Sequence, residues 1–420
     1  MTTSTMDFTD AFVKAQQLDA QDALALKRDL FALPEGVIYL DGNSLGALPK
    51  SMSARMAKAV EQEWGRGLIR SWNDAGWYEA TARVGAQIAQ IIGAKANEVV
   101  ACDSTSINLF KVMCAAAQAL PERKIIICEE GNFPTDAYIG EGVAGLIGKQ
   151  ILLANQDNIE EKIAQAGAQL CFVSLTQVHY KTGRMLDMAR VTQLVQAQGA
   201  RTIWDLAHSA GALVVQLNAC KADYAVGCGY KYLNGGPGAP AFVYVREDLQ
   251  GDLQQPLQGW FGHATPFSFD QAYVPAQGIA RLLVGTTGVL SMTALEEALK
   301  IYEGVSMQAI RAKSSSLTQL FIDLYDAHIA PLGFGLATPR DATRRGSQVS
   351  FTHEQGYAIM QALIAQGVIG DFRAPNILRF GFAPLYVSHV DVVRSVQLLC
   401  EIFTSKAWIN PEFQQRKAVT

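Results

Sequence analysis

Short apolar runs that alternate with amphipathic stretches constrain the fold of this chain most strongly. Runs of this length and composition predict buried strands, and the stretches between them, such as "VTQLVQAQGA" (191–200), predict helices. Strands that alternate with helices form βαβ units, so we expect an α/β fold with a mostly parallel sheet covered on both faces. The predicted strands are "EVVAC" (98–102), "KIIICEE" (124–130), "QLCFVSLT" (169–176), "RTIWDL" (201–206), "ADYAVGC" (222–228) and "AFVYVRE" (241–247), the last of them antiparallel to its neighbour.

The pattern changes near residue 290, where long helical stretches such as "MTALEEALKIYEGV" and "SSSLTQLFIDLYDAH" begin. Short predicted strands around "SQVSFTH" and "NILRFGFAPLY" follow them. We therefore expect a large domain over 51–290 and a smaller α+β C-terminal domain over 291–420. The N-terminal segment, 1–50, is predicted to pack with the small domain.

Composition excludes several classes of function. The net charge of −4, without a block of Lys and Arg, does not fit a nucleic-acid binder. No apolar run is long enough to span a membrane, and the polar, acidic N-terminus lacks the features of a signal peptide, so we expect a cytoplasmic protein. The seven scattered cysteines predict free thiols, and the six histidines show no metal-ligand spacing, so we expect no metal.

Polar residues follow two of the predicted strands, at the sheet edge where open parallel sheets bind ligands. Thr105 and Ser106, in "DSTSIN", stand at a predicted helix start, where unpaired N–H groups favour a phosphate; ordinary N-capping explains them equally well when they are taken alone. Asp205 ends "RTIWD", with His208 three residues later. A buried carboxylate there needs a cationic partner such as a protonated pyridine nitrogen, although a capping aspartate would also explain it.

Lys231 follows "ADYAVGC" in the glycine-rich, otherwise neutral stretch "GYKYLNGGPG". An amine shielded from water can lose its proton and act as a nucleophile toward an aldehyde, whereas a surface lysine at a turn is the alternative. The alternative does not explain why the helix-start hydroxyls, Asp205 and Lys231 arrive in this order. Together they provide a phosphate seat, a carboxylate for a pyridinium and an amine for an aldehyde, which are the groups that pyridoxal 5′-phosphate (PLP) requires.

This order and spacing resemble the fold-type-I PLP enzymes of the aspartate aminotransferase superfamily, which implies PLP fold type I with a seven-stranded-type sheet. A narrower resemblance, to the kynureninase family, spans residues 38–386. Its motifs are "IYLDGNSLG" (38–46), "NFPTD" (132–136), "WDLAHSAG" (204–211), "YKYLNGGPG" (230–238), "GWFGH" (259–263) and "LRFGFAPLY" (378–386).

The kynureninase resemblance implies a role for each matching residue. The implied catalytic residues are Lys231, Tyr230 and Asp205. The implied cofactor contacts are Thr105, Ser106, Phe133, Thr135, Asp136, Thr176, Asp205, His208, Tyr230, Lys231, Trp260 and Thr286. Trp260 and Thr286 are expected to come from the second subunit of a homodimer with shared sites. Arg379 would hold the substrate α-carboxylate, and His263 and Trp72 would line the aryl pocket.

Each of these roles has an ordinary structural alternative. Phe133 could be a core residue, Trp260 and His263 a packed aromatic corner, and Arg379 an exposed strand residue. Relatives can carry Asn where Thr286 stands, which leaves the preference for a ring hydroxyl open.

The implied activity is PLP-dependent hydrolysis of L-kynurenine, or 3-hydroxy-L-kynurenine, to L-alanine and anthranilate or 3-hydroxyanthranilate. This reaction belongs to tryptophan catabolism and NAD biosynthesis. Another fold-type-I enzyme, such as a cysteine desulfurase or an aminotransferase, is the alternative. A PLP-binding regulator would need a DNA-binding module, and the residues before "IYLDGNSLG" are too few and not basic enough for one.

Overall fold

The computed structural model describes residues 7–416. The first six residues of the predicted N-terminal segment and the last four of the predicted small domain lie outside this range. Among residues 7–416, no helix combines the length and the apolar character that crossing a membrane requires.

The elements of the described chain alternate as the hydrophobic pattern predicts, with short 3-10 and π turns between many of them. Its strands are β1 (Ile38–Tyr39), β2 (Val99–Ala101), β3 (Ile125–Glu129), β4 (Gln150–Ala154), β5 (Leu170–Thr176), β6 (Arg201–Asp205), β7 (Tyr224–Cys228), β8 (Ala241–Val245), β9 (Gly335–Leu336), β10 (Gln348–Thr352), β11 (Val368–Ile369), β12 (Asp371–Arg373) and β13 (Ile377–Gly381). Its helices are α1 (Phe8–Ala20), α2 (Met52–Lys58), α3 (Ser71–Asp74), α4 (Ala80–Ile92), α5 (Thr105–Ala119), α6 (Pro134–Ile147), α7 (Ile159–Ala166), α8 (Met188–Ala197), α9 (Val289–Leu299), α10 (Met307–Leu324), α11 (Gly356–Ala365), α12 (His389–Thr404) and α13 (Pro411–Gln414).

The chain forms two compact units. The large unit comprises Ser51–Gln177 and Leu186–Lys300. The small unit comprises the described residues up to Lys50, the segment Val178–Met185 and the chain from Ile301 onward.

The large unit is built on a seven-stranded sheet in the order β2-β8-β7-β6-β5-β3-β4. Strands β4, β3, β5, β6 and β7 pair in parallel, and β8 runs antiparallel to both of its neighbours. Every residue of β5, β7 and β8 is buried, as expected of strands covered on both faces. The predicted α/β fold with a mostly parallel sheet is therefore confirmed.

Helix α5 packs on this sheet and is buried along most of its length. The small residues Cys114–Ala117 allow it to approach the strands closely. The helix begins at Thr105 because the Ser104 hydroxyl accepts a hydrogen bond from the Ile107 N–H at 3.4 Å. Since α5 directly follows β2, its N-terminus lies at the carboxyl end of a strand.

The small unit contains an antiparallel sheet in the order β12-β13-β10-β9 and a separate parallel pair, β1-β11. Helices α1 and α10 both pack against α12. Its core holds a cluster of phenylalanines, in which the Phe321 ring centroid lies 5.0 Å from Phe351 and 5.1 Å from both Phe380 and Phe382. Such clusters bury large apolar areas and add edge-to-face contacts.

The segment Val178–Met185 leaves the large unit directly after β5 and belongs to the small unit. An antiparallel bridge between Val178 and Met185 closes it. The Gly346 N–H donates to Gly183 O at 2.7 Å, and the Thr338 hydroxyl donates to Thr182 O at 2.7 Å. The sequence pattern predicted neither this segment, Val178–Met185, nor strand β4.

Gly85 on α4 faces β2, and a Cβ atom at this position would lie 2.3 Å from Val99 O. We expect Gly85→Ala to lower the free energy of unfolding by about 1–3 kcal/mol, because the helix must move away from the strand. The matched control is Gly142→Ala on α6, where a Cβ meets nothing within 4 Å. This variant should gain about 0.5–1 kcal/mol from the better helix former. Thermal unfolding followed by circular dichroism measures both, and equal shifts of the two midpoints would contradict the packing argument.

Candidate active site

Lys231 lies in the turn that follows β7, which ends at Cys228. Its amine nitrogen, Nζ, lies 3.0 Å from His208 Nε2 and 5.8 Å from the centroid of the Tyr230 ring. Lys231 is half-buried, and His208 is buried. The amine is therefore held among aromatic and imidazole groups and partly shielded from water.

Two glycines give the Lys231 turn its shape. The Gly235 N–H donates to Gly229 O at 2.9 Å. A Cβ atom on Gly229 would lie 2.4 Å from Pro240 O, and one on Gly235 would lie 2.8 Å from Gly229 O. Larger residues would open the turn and displace Lys231.

Asp205 is the last residue of β6 and is buried. One carboxylate oxygen, Oδ1, accepts a hydrogen bond from the Ala207 N–H at 2.8 Å. Burial raises the pKa of Asp205, and the nearby Lys231 ammonium opposes this rise. Thr176, the last residue of β5, pairs with Asp205 in the sheet register, so both residues stand at the same sheet edge.

Asp136 lies in the first turn of α6, and its carboxylate accepts a hydrogen bond from Asn132 Nδ2 at 2.7 Å. Burial, together with the neighbouring carboxylates of Asp205 and Glu129, raises the pKa of Asp136 well above its usual range. Asp136 also forms a side-chain hydrogen bond with Asp205. Two buried carboxylates this close do not both ionise easily, so the raised pKa of Asp136 favours its neutral form, whose hydroxyl would donate a hydrogen bond to Asp205.

Sequence reasoning missed Glu129 and Asn132. Glu129 is the last residue of β3, and its Oε2 accepts a hydrogen bond from the Thr176 N–H at 2.8 Å. Glu129 is one of the two glutamates that end the predicted strand "KIIICEE" (124–130), so the signal that points to Asp205, a polar residue at a strand end, also points to Glu129. Asn132 lies within the quoted motif "NFPTD", but nothing in the local pattern showed that it would bind Asp136.

Thr105 and Ser106 are the first two residues of α5, and both are half-buried. The first N–H groups of a helix have no acceptor within the helix, and they carry its partial positive charge. Thr135 is half-buried in the first turn of α6, next to Asp136.

Two aromatic residues that the resemblance assigns to the cofactor are exposed. Phe133 precedes α6 and is 51% exposed, and Trp260 is 39% exposed in a 3-10 turn, Trp260–Gly262. Thr286 is exposed in the loop before α9. Exposed rings can contact a ligand or another chain, although single exposed rings are also common on protein surfaces.

Trp72 and His263 have partners within the large unit. The half-buried Trp72 ring packs edge-on against Phe261, with centroids 5.9 Å apart. His263 is buried, its Nε2 lies 3.2 Å from Ala272 O, and its Nδ1 accepts a hydrogen bond from the Thr265 N–H at 3.0 Å. Both nitrogens of His263 therefore contact the backbone of its own loop.

Arg379 lies on β13 in the small unit and is 2% exposed, so it is not an exposed strand residue. Its Nε donates to Asp371 Oδ1 at 2.7 Å, and its Nη2 donates to the other Asp371 oxygen. Nη1 donates to Tyr180 O at 2.9 Å, and Nη2 also donates to the Ser44 hydroxyl at 2.6 Å. These four bonds fix the plane of the guanidinium.

The charges around Arg379 do not cancel. Burial would raise the pKa of Asp371, but the Arg379 guanidinium outweighs it and holds that pKa below its usual value. Burial, and then the Asp371 carboxylate, raise the pKa of Asp41 to about 8. Arg373 also pairs with Asp371, at 2.6 Å. At neutral pH the cluster therefore contains two guanidinium groups and one fully ionised carboxylate, which leaves a surplus of positive charge.

Within the large unit the structure thus brings together Lys231, His208, Asp205, Asp136 and Thr176. A buried carboxyl pair that faces one amine is complementary to a protonated ring nitrogen, because that cation would compensate the Asp205 charge. The amine can bind an aldehyde, and the start of α5 can accept a phosphate. The residues present therefore fit PLP.

Comparison with known proteins agrees with this geometry. A family model described as the kynureninase C-terminal domain matches residues 310–399. The chain is 51% identical to kynureninase of Pseudomonas fluorescens over 96% of this chain and 98% of that protein. It is 49% identical to kynureninase of Burkholderia mallei (strain SAVP1) over 97% and 99%, respectively.

Two solved structures share the fold. The apo cysteine desulfurase of Thermococcus onnurineus NA1 has a TM-score of 0.75 at 20% identity, covering 90% of this chain and 97% of that chain. A C-DES mutant with glycine covalently linked to the PLP cofactor has a TM-score of 0.77 at 17% identity, covering 89% and 99%, respectively. At 20% and 17% identity, the likeness to these two structures supports the fold alone, which is that of fold-type-I PLP enzymes. The identity of 51% and 49% to two kynureninases, over nearly the whole length, shows that the chain belongs to the kynureninase family.

Proposed function

We propose that this protein is a PLP-dependent hydrolase that cleaves a carbon–carbon bond of L-kynurenine, giving anthranilate and L-alanine. The observation that carries the proposal is the contact of Lys231 Nζ with His208 Nε2 at 3.0 Å, beside the buried carboxyl pair of Asp205 and Asp136. Half-identity to two kynureninases over nearly their full length supports kynurenine as the substrate.

Lys231 and Asp205 are proposed to do the central work of the site. When bound, PLP supplies a ring that accepts electrons from the substrate carbon next to the amine. Lys231 would hold the cofactor through its aldehyde, and once the substrate amine had displaced it, its amine would be placed to take the proton from that carbon. The Asp205 carboxylate keeps the ring nitrogen protonated, and Asp136 supports it by donating a hydrogen bond.

The phosphate is proposed to bind at Thr105 and Ser106, at the start of α5. Burial raises the pKa of Tyr230, so its phenol keeps its proton and can donate a hydrogen bond to the phosphate or act as an acid. Trp260 and Thr286 are proposed to complete this end from the second subunit of a homodimer. Their exposure supports that placement.

The faces of the cofactor ring are proposed to contact Phe133, Thr135, Thr176 and His208. Phe133 is the natural stacking residue, because half of its side chain is exposed beside Asp136. Trp72 and His263 are proposed to line the aryl pocket.

Arg379 is proposed to bind the substrate α-carboxylate. The surplus positive charge that it shares with Arg373 favours an anion there. Four of its five N–H groups already donate hydrogen bonds within the protein. Bidentate binding of a carboxylate would therefore require Nη2 to give up its hydrogen bond to Ser44.

A cysteine desulfurase activity is disfavoured by the thiols, although desulfurases share the fold. Desulfurases need a reactive thiolate, whereas burial raises the pKa of each of the seven cysteines in the described chain. None of the seven is exposed within residues 7–416. The cytoplasmic location stays a prediction from the sequence.

The substrate can be tested directly with the PLP-loaded protein. We expect L-kynurenine to release fluorescent anthranilate and an equal amount of L-alanine, because only cleavage next to the side-chain carbonyl gives both. The same assay with 3-hydroxy-L-kynurenine compares kcat/KM for the two substrates. Sulfide release from L-cysteine without anthranilate release from L-kynurenine would instead favour a desulfurase.

Lys231→Ala should remove the covalent link to the cofactor, because no other amine lies at this position of the turn. We expect turnover to fall about 10³-fold or more. Borohydride reduction followed by mass spectrometry should find PLP attached to the wild type and to Lys221→Ala, a control at an exposed lysine. A reducible link that persists in Lys231→Ala would show that another lysine binds the cofactor.

Asp205→Asn should lower kcat/KM by about 10²–10³-fold, because a neutral amide no longer keeps the ring nitrogen protonated. The borohydride-reducible link should remain. The matched control is Asp223→Asn, a second buried carboxylate directly before β7, whose partners include Arg246 and Thr202. It should reduce the unfolding temperature and largely retain activity. Near-normal turnover of Asp205→Asn would remove the proposed role.

A further inference from the structure

Lys111 is a fully buried lysine in the middle of α5, and no step of the proposed reaction uses it. Its Nζ donates to Asp103 Oδ2 at 2.6 Å and to Leu282 O at 2.7 Å, and it lies 3.5 Å from Cys102 Sγ. Removing an ammonium group from water is costly unless it is paired and hydrogen-bonded, so these contacts define one specific position for it.

Asp103, the anionic partner of Lys111, lies in the turn between β2 and α5, directly before Ser104. Its backbone has a φ of +49°, a left-handed conformation that aspartate tolerates better than most residues. Its side chain is 28% exposed, whereas that of Lys111 is fully buried. The turn that carries this partly exposed carboxylate leads directly into the proposed phosphate site at Thr105 and Ser106, so its negative charge, if not neutralised, would disfavour a phosphate that carries about −1.5 to −2 charges.

The second bond of Lys111 reaches another segment of the same unit. Leu282 ends the 3-10 turn Gly278–Leu282, and the chain continues from it to Thr286. The Phe261 N–H donates to Val284 O at 3.2 Å, which joins the Trp260–Gly262 turn to this segment. One ammonium group thus binds the turn before α5 and the segment that leads to Thr286, a residue proposed to serve the phosphate of the second subunit's site.

We propose that Lys111 is a positioning residue for the phosphate of the cofactor: its ammonium neutralises Asp103 and fixes the turn that presents Thr105 and Ser106. The inference rests on the PLP site of the proposed function, but it does not depend on which substrate the enzyme takes. Lys111 is fully buried and is not proposed to contact the cofactor. It acts through its hydrogen bonds to Asp103 and Leu282.

The test measures how tightly the full-length protein, freed of cofactor, binds PLP and pyridoxal, which lacks the phosphate. Lys111→Met keeps the length of the side chain and removes its charge. We expect it to weaken PLP binding about tenfold or more, because Asp103 is left uncompensated beside the phosphate. Pyridoxal affinity should stay within about twofold of the wild type, because the remaining contacts of the ring are unchanged.

The matched control is Lys313→Met in the small unit. Lys313 is also a buried lysine paired with an aspartate, since its Nζ lies 2.6 Å from Asp22 Oδ2. Its loss should destabilise the protein in a similar way and leave the ratio of PLP to pyridoxal affinity unchanged.

A second substitution separates charge from packing. In the double variant Lys111→Met with Asp103→Asn, neither charge remains, and PLP affinity should return to within about threefold of the wild type. If Lys111→Met does not fold, Asp103→Asn alone tests the proposal. This variant keeps the Lys111 ammonium group and removes the Asp103 carboxylate, so it should bind PLP at least as tightly as the wild type.

The proposal is overturned if Lys111→Met weakens PLP and pyridoxal equally or weakens neither. It is also overturned if the double variant is no better than Lys111→Met, or if Asp103→Asn loses PLP affinity about tenfold. Failure of the wild type to hydrolyse L-kynurenine would contradict the proposed function only, because these measurements use no substrate.

Discussion

The site depends on a buried carboxyl pair, Asp205 and Asp136, that lies beside a single amine. A carboxylate removed from water is stable only with a cation or several hydrogen bonds around it. Here Ala207 donates to Asp205, Asn132 donates to Asp136, and the Lys231 ammonium favours the ionised form of Asp205. A ligand that brings a second cation into this position is therefore favoured, and this selects a protonated heteroaromatic ring over a neutral one.

The parallel sheet accounts for how far the sequence could be interpreted. Strands buried on both faces give continuous apolar runs, so the positions of β3, β5, β6 and β7 could be predicted from composition, and the chemistry at their ends followed from topology. Strand β4 gave no such signal, because it lies at the sheet edge and only Ala154 is buried. The segment Val178–Met185 is fixed by hydrogen bonds to residues more than 150 positions away in the chain. A local sequence pattern cannot predict contacts of this kind.

The remaining site residues could be predicted only through resemblance, and their environments explain why. Phe133 precedes α6 and Trp260 lies in a short 3-10 turn, so neither exposed ring belongs to a helical or strand periodicity. Arg379 looks like any strand residue until its pairing with Asp371 across the β12-β13 hairpin is known. Lys111 falls among apolar residues of α5, where the hydrophobic pattern predicts core and gives no indication that an ion pair lies inside it.

The excursion of the chain after β5 has a consequence for how this protein can be divided. The strand that ends at Thr176 continues directly into Val178–Met185, whose hydrogen-bond partners include Thr338, Gly346 and Gln348. A fragment cut at the two ends of the large unit would carry these residues without their partners, exposing backbone carbonyl groups directly after the strand that ends at Thr176. Exchange of the C-terminal region between relatives would therefore have to transfer this short insertion as well, so the unit that can be exchanged is discontinuous in sequence.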